Sequence, residues 1–522
     1  MLWVLHLQSD SDCSRCQHAS YILFFVMAKC FLNILVFIAL VCLSYKPAFS
    51  EPWLSPGDIL VRSDLQLLAD EGLLKVPLNT WPISLANVDA SLVGVNVSQE
   101  NPLVARALQR IRGRLNNESR TNEVVVRSYV GVSSKPGTVR TFEYTPREES
   151  EVGGAISWMG RRFAIKAQGT RVWNPLDKDS FRPDGSYIGA VVGNWMLAAG
   201  YPERWWGPGW DGSLILSTNA RPGPQFSIKR NITMPFNSSW LKWIGPWSLT
   251  SFSEQLDDDR FLKDAMLFGM RMTAMPADGL EIGLSRTAQW CGTGRSCDAS
   301  TFVDLLLGHD NEGVNVSWDQ EPGNQLAGLD LRWVSPVGDS SYATYLQWIG
   351  EDTRQGGPEI GSWLRQLGFE FWGTIPGLNW QHRSHIEWTD TTCREGGIGF
   401  SKRKLNCAYN HARYRTGYRY RGRTIGHGID SDSLSSSIGS TLIDSKGNSM
   451  NLLARYMDIN RDGQENPVFS VKQKISEISF SYNRRFNLGT ASIGIIYSHL
   501  RERVVGGSTK ADIEWWASFQ MN

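Results

Sequence analysis

A chain of 522 residues that is 41% hydrophobic and 20% charged, with mean hydropathy −0.28, is a folded protein and not a disordered one. Its 53 Lys and Arg stand against 52 Asp and Glu, so net charge gives no reason to expect nucleic acid as a partner. Tryptophan (22), Phe (21), Tyr (15) and Gly (50) are all frequent. Aromatic girdles and many short strands with tight turns would raise these counts; a surface where rings stack on sugars would also raise Trp.

The first fifty residues read as a leader and not as part of the fold. Met27 is the expected start, Lys29 supplies the positive n-region, and Phe31 to Leu43 supplies the apolar core. Ala48-Phe49-Ser50 is a small-x-small cleavage site, so residues 27–50 form a signal peptide and the mature chain begins at Glu51. Residues 1–26 are then a doubtful extension from an upstream start. The rival reading joins Tyr21–Leu43 into one anchor helix long enough to span a bilayer, although Lys29 and Asn33 interrupt it. A lipoprotein reading fails at Cys42, which follows Val41 where a small residue is needed. Cys291, Cys297, Cys393 and Cys407 remain after cleavage, an even and sparse set suited to disulfides in an exported protein. Local spacing favours Cys291–Cys297 and Cys393–Cys407 among the possible pairings. A zinc site is the alternative, but no C-x-x-C spacing occurs among these four.

Residues 51–121 read as a helical bundle or plug. Leu65, Leu68, Ala69 and Leu73 recur at helical spacing within Arg62–Leu74, with Ser63 as a cap and Gly72 near the end. A second short helix spans Ser84 to Leu92, after the Trp81-Pro82 dipeptide. Asn101-Pro102 opens the clearest helix, Asn as cap and Pro at the first position. Leu103, Ala107, Leu108, Ile111 and Leu115 form its apolar face, and Arg106, Arg110, Arg112 and Arg114 occupy much of the rest. That basic face is either solvated or packed against the mouth of something larger.

Residues 122–522 carry no helix-period segment of useful length. Period-two runs recur instead. Phe268, Met270, Met272 and Ala274 alternate with Gly269, Arg271 and Thr273, and Ala327, Leu329, Leu331 and Trp333 alternate with Gly328, Asp330 and Arg332. Between Leu378 and Thr389 every odd position is polar: Asn379, Gln381, Arg383, His385, Glu387 and Thr389. Leu378, Trp380, Ile386 and Trp388 lie on the other face. One polar face and one aromatic-ended apolar face fit a water-filled lumen and a lipid contact. Ala511, Ile513, Trp515, Ala517 and Phe519 repeat the pattern in the last strand. Such a length of strand exceeds one sandwich domain and no linker divides it. The fold class expected is therefore all-β and transmembrane: a large antiparallel outer-membrane β-barrel.

Motifs for catalysis, metal or cofactors are lacking. There is no HExxH, GxSxG or phosphate loop. Gly338-Asp339-Ser340 is an isolated tripeptide, and His382 and His385 would point to opposite faces of a strand. Two stretches stand out. Ser401 to Arg423 holds Lys402, Arg403, Lys404, Arg413, Arg415, Arg419, Arg421 and Arg423, no acid, and interleaved Tyr409, Tyr414, Tyr418 and Tyr420 beside His411. Guanidinium forks suit carboxylates and phenol rings suit sugar faces. The alternative is a lumen wall or a loop satisfied by acids such as Glu395 and Asp430. In Arg204-Trp205-Trp206-Gly207-Pro208-Gly209-Trp210, three Trp around a Gly-Pro-Gly turn suit a sugar platform, an interfacial belt or a plug anchor.

At these residues the chain resembles the capsule-assembly Wzi family of outer-membrane proteins. The matching pieces are Pro52-Trp53-Leu54, Gly57-Asp58, Asp64 to Asp70, Thr80-Trp81-Pro82, Arg204 to Trp210 with Leu214 to Ser217 and Ala220-Arg221-Pro222, Trp290-Cys291, and Tyr414 to Tyr420. The resemblance implies an eighteen-stranded barrel, a helical bundle at the periplasmic mouth, and surface loops that close the outside. It implies a non-enzymatic, lectin-like role holding capsular or related exopolysaccharide at the cell surface. The partners expected are an acidic surface polysaccharide and outer-membrane lipid, met by a monomer. The candidate sugar contacts are Arg413, Tyr414, Arg415, Tyr418, Arg419, Tyr420 and Arg421, with Trp205 and Trp206. A porin or polysaccharide export channel is the second reading, and an enzyme trimming glycan or lipid the third. The chain departs from the usual aromatic ending of such barrels, since Gln520-Met521-Asn522 follow Phe519.

Overall fold

The computed structural model describes residues 51–96, 101–257, 259–307, 323–335, 341–353, 360–395, 404–464, 466–504 and 507–521. The leader (1–26 and 27–50), the Gly338-Asp339-Ser340 tripeptide and the start of the basic stretch, Ser401 to Arg403, lie outside the described residues.

The period-two segments close into one antiparallel barrel. Its strands are β1 (Val124–Ser133), β2 (Ser150–Met159), β3 (Phe163–Trp173), β4 (Phe181–Arg182 with Tyr187–Val192), β5 (Trp195–Gly200) and β6 (Gln225–Arg230). Then come β7 (Trp247–Gln255), β8 (Met266–Ala277), β9 (Leu280–Trp290), β10 (Gly323–Val334), β11 (Tyr342–Thr353) and β12 (Ile360–Ile375). The last six are β13 (Trp380–Glu395), β14 (Leu434–Ile443), β15 (Ser449–Ile459), β16 (Gln473–Phe486), β17 (Gly489–Glu502) and β18 (Thr509–Met521). Both pieces of β4 pair with β3, so they form one interrupted strand and the barrel has eighteen. Pairing of β18 with β1, from Trp516 opposite Ser133 to Gln520 opposite Tyr129, seals the wall. Closure leaves no continuous open edge around the barrel.

The alternation sorts side chains as the pleat demands. In β13, Gln381, Arg383, His385, Glu387 and Thr389 are buried toward the inside, while Ile386 is exposed outside. In β18, Ile513 and Trp515 face out and Glu514 and Trp516 face in. Ile165, Ile188, Leu284, Ile438 and Ile478 extend the exposed apolar surface around the wall. A barrel oily outside and polar inside is a lipid-facing barrel. Tight turns at 160–162, 193–194, 278–279 and 487–488 mark the periplasmic rim, and the long connections mark the extracellular rim. Among the described residues no helix is long and apolar enough to cross a membrane.

Among the described residues three helices precede the barrel: α1 (Ile59–Asp70), α2 (Leu85–Leu92) and α3 (Pro102–Glu118). Ser84 and Asn101 cap α2 and α3 by accepting from Asn87 N and Val104 N, each at 3.3 Å. Helix α1 starts earlier than its apolar period suggests, because Asp58 and not Ser63 is the cap, accepting from Val61 N at 3.0 Å. Leu65, Leu67, Leu68, Ala107, Leu108 and Ile111 make the shared core. The Arg face of α3 is not simply solvated: Arg110 forms a fork on Asp64 (2.7 Å) and reaches Gln381 on the wall (2.9 Å). Among the described residues of the strand-rich remainder, one α-helix that the periodicity did not indicate, α4 (Ala299–Leu307), lies in the connection after β9. Asp298 opens it by accepting from Thr301 N at 2.8 Å.

Candidate functional site

The inward polar face does not line an open, water-filled lumen; protein occupies the space from both ends. From below, Thr80–Trp81 pairs antiparallel with Trp205–Trp206, which descend from the β5–β6 connection. Arg62 of α1 meets that connection head on. Its Nη2 donates to the carbonyls of Pro208 (2.7 Å) and Gly209 (2.8 Å), and its Cζ lies 4.0 Å from the Trp210 ring and 4.3 Å from Phe142. The wall holds this filling by side chain to backbone bonds. Glu281 accepts from Leu78 N (2.8 Å) and Asn79 N (2.9 Å). Glu387 accepts from the backbone of Trp210 and Asp211 and from the Tyr345 hydroxyl. Gly207 sits at φ +145, where a Cβ would come within 2.7 Å of Gln347 Nε2, so only glycine fits against the wall.

Trp205 and Trp206 are fully buried in this filling and are corrected from sugar platform to plug anchor. Phe142 stacks edge-on with Trp81 and Trp205, which explains why so many rings gather here. Water cannot bond these faces, so they are buried as a group.

The basic Tyr-rich stretch folds over the top as a cap. Most of its candidate residues turn inward. Tyr409 and Tyr418 donate to the carbonyls of Leu214 (2.7 Å) and Ile215 (2.9 Å), and Tyr414 donates to that of Cys291 (3.0 Å). Arg419 is 1% exposed and forms a two-pronged ion pair with Asp430, Nε to Oδ2 at 2.8 Å. Burial opposes ionisation of Asp430, but the Arg419 guanidinium outweighs it and holds the carboxyl below its usual range. Burial pushes the Tyr420 hydroxyl up to about 12. Tyr414, Tyr418, Arg419 and Tyr420 are therefore corrected: their polar atoms or ring faces are spent inside the cap. Asp430 is the satisfying acid; the side chain of Glu395 lies outside the described residues.

What stays at the surface is a smaller set. Arg415 is exposed and lies with its Cζ 4.6 Å from the ring of Phe261, which is itself exposed. Arg413 is half-buried, and Arg421 pairs with Asp179 at 2.5 Å while its backbone N–H donates to Asp257 at 3.0 Å. Phe261 N donates to Thr416 Oγ1 at 2.8 Å, and Arg295 lies over Tyr414 at 5.6 Å. The cap thus joins the connection after β7, the one after β9 and the one after β13. Disulfides Cys291–Cys297 and Cys393–Cys407 close loops in the latter two. Phe261 and Arg295 belong to this surface and carry no signal in the sequence, since only the folded loops bring them to Arg415 and Tyr414. Among the described residues no group of three His, Cys, Asp or Glu is placed to hold a metal.

An oily eighteen-stranded cylinder, filled from both ends and capped by a basic surface, defines an occluded outer-membrane barrel protein. A family model described as "Capsule assembly protein Wzi" matches residues 128–507, and the chain belongs to that family. It is 32% identical over 334 residues to a Klebsiella pneumoniae protein described as an "uncharacterized 55.8 kDa protein in cps region". That match spans 62% of this chain and 63% of the relative. The fold is similar to that of Wzi from Escherichia coli, described as an outer-membrane protein involved in group 1 capsule assembly and as a carbohydrate-binding β-barrel. The TM-score is 0.77 at 24% identity, covering 90% of this chain and 99% of the other.

Proposed function

We propose that this protein attaches or organises an acidic polysaccharide at the outer surface of the cell, and that it does so without catalysis. The observation that carries this reading is a barrel filled from both ends beneath a cap that keeps Arg413, Arg415 and Arg421 at its surface. A filled cylinder suits holding better than passing, and guanidinium forks beside an exposed ring suit a sugar acid. Family membership and the carbohydrate binding described for the E. coli protein support it. Residues 27–50 then direct export, and residues 51–121 face the periplasm.

The test is charge reversal of exposed Arg415 together with half-buried Arg413 and Arg421, each to Glu, in a strain lacking the native copy. Cell-bound polysaccharide should fall and released polysaccharide should rise. Unchanged retention by a folded variant removes this surface as the site. An export channel is the second reading, favoured by a cleft of about 300 Å³ between the filling and the wall, lined by Glu51, Arg127, Tyr144 and Arg147. Planar bilayers separate the two, since the attachment reading expects almost no current. Incubation with purified polysaccharide should release no reducing ends or acyl groups.

A further inference from the structure

Helix α4 lies outside the barrel, on the wall that faces lipid. The alternation of the strands beneath it shows this. In β9, Glu281, Ser285, Thr287 and Gln289 are buried inward, while Leu284 is exposed on the other face. Arg286 and Trp290 share that outer face with Leu284. By the same count Phe268 of β8 lies on the face away from buried Arg271 and Thr273, and Gln325 of β10 on the face away from buried Asp330. The helix docks on these outward side chains. Phe302 packs edge-on against Phe268, ring centroids 5.1 Å apart, and against Trp290 at 5.0 Å. Leu305 is buried against Gly323 at the head of β10, where a Cβ would come within 3.4 Å of its Cδ1.

A polar strap fastens the far end. The Arg286 guanidinium donates to the carbonyls of Leu306 (2.7 Å) and Leu305 in the last turn of α4, and its Nε to Gln325 Oε1 at 2.8 Å. The last carbonyls of a helix have no partner within it and favour a cation. A guanidinium on a hydrocarbon-facing strand needs polar partners in turn. At the other end the Cys291–Cys297 disulfide shortens the chain between Trp290 and the start of α4. Trp290 ends β9 at the extracellular rim, the level at which aromatic belts meet lipid headgroups.

The free side of α4 is divided. Ala299 and Val303 are exposed one turn apart on one stripe, and Ser300 and Asp304 on the next. Between helix and wall runs an apolar trough of about 470 Å³, lined by Phe226, Ile228, Phe268, Trp290, Ala299 and Phe302. It continues the lipid-facing surface, since Phe226 is exposed on the outer face of β6.

We propose that α4 is an interfacial helix seated in the outer leaflet of the outer membrane, and that the trough beneath it holds an acyl chain of an outer-leaflet lipid. Val303 then faces the acyl region, and Ser300 and Asp304 face the headgroups and water. Continuity with the oily wall selects hydrocarbon as the occupant. The inference does not rest on the sugar reading.

Spin labels test the seating. The cysteines at 291, 297, 393 and 407 are paired in disulfides, so Val303→Cys in the mature chain beginning at Glu51 offers a single free thiol for a nitroxide. In vesicles of phosphatidylethanolamine and phosphatidylglycerol, the label at 303 should collide with oxygen in preference to a water-soluble nickel chelate, as a label at Leu284→Cys does. A Ser300→Cys label should show the reverse. Chelate access at 303 equal to that at 300 overturns the proposal. So does dipolar broadening between 303 labels on different chains, which would put a second copy on α4. Photolabelling tests the trough with the unsubstituted chain, whether or not a variant folds. Phosphatidylethanolamine with a diazirine in its acyl chain should leave adducts on Phe226 and Phe302. Adducts on Ile478 of the bare wall with none on either of those two overturn the trough as an acyl site.

Discussion

The two halves of the filling solve one problem by different chemistry. The lower half is three helices around Leu65, Leu67, Leu68 and Leu108, with an ion pair between helices at Arg110–Asp64 and others at the wall, where Asp70 bonds Arg332 at 2.7 Å and Arg383 at 2.8 Å. The upper half is irregular chain, held by Arg419–Asp430, by Tyr hydroxyls on carbonyls, and by Glu143, which accepts from Asn451 (2.7 Å), Ser481 (2.7 Å) and Asn483 (3.0 Å). Helices satisfy their own backbone and so can present apolar side chains. Buried loops must satisfy each N–H and C=O through side chains, so they are rich in Arg, Asp, Asn and Tyr. A polar wall face serves both, because it can bond a loop backbone at Glu387 and an ion at Asp70.

If that contrast holds, the largest effect comes from breaking a buried ion in the upper half. Asp430→Ala strands the Arg419 guanidinium and should cost about 3–5 kcal/mol. The loss should be confined to the cap, read as faster amide exchange across 404–433 with α1 and α3 still protected. Exchange that rises equally in the helices would mean the two halves unfold as one and the comparison fails. Leu68→Ala, fully buried in α1, should cost about 2–5 kcal/mol by leaving a cavity. It should loosen the helices first, leave the cap's amides protected, and show measurable current in planar bilayers as the lower filling frays.

The wall was readable before folding because lipid outside and a polar filling inside impose one rule on every strand. The odd positions from Gln381 to Thr389 face inward as their period indicates. Helix α3 was readable from its cap, Asn101, and α2 from the Trp81-Pro82 dipeptide that precedes it. Asp58, the cap of α1, is masked by an apolar period that is clearer three residues further on, and α4 by its shortness within a long connection. The fate of the basic stretch was not readable. Arg419 is spent on Asp430 eleven residues away, and Tyr418 on Ile215 across a separation of 203. A run without acids looks like surface until the fold supplies the acids from outside it.

Acid sharpens the comparison further, with a smaller effect. Burial disfavours the Glu51 carboxylate, but Lys166 and Arg127 outweigh it and hold the group at about 2 against an ordinary 4.5. A depressed carboxyl stabilises the fold above its unfolded value and loses that contribution as pH falls through the folded one. Wild type should therefore exceed Glu51→Gln in thermal midpoint at pH 6, and the difference should shrink below about 4.5 and vanish near 2. The apolar core of α1–α3 has no such titration. An unchanging difference across that range would show that Glu51 acts by packing alone.

The smallest stability effect belongs to Arg415, and it is the one that separates surface from filling. Its guanidinium stacks on Phe261 in the open, so Arg415→Ala leaves nothing buried and unpaired and should cost only about 0.5–1 kcal/mol. Removing Phe261 as well should add little, because the pair interacts chiefly with itself. Polysaccharide retention should nonetheless fall, since the residue's free face is what a glycan would meet. A stability loss of 3 kcal/mol or more, comparable to that expected for Asp430→Ala, would place Arg415 in the filling with Arg419 and leave the cap without an exposed cation on an open ring.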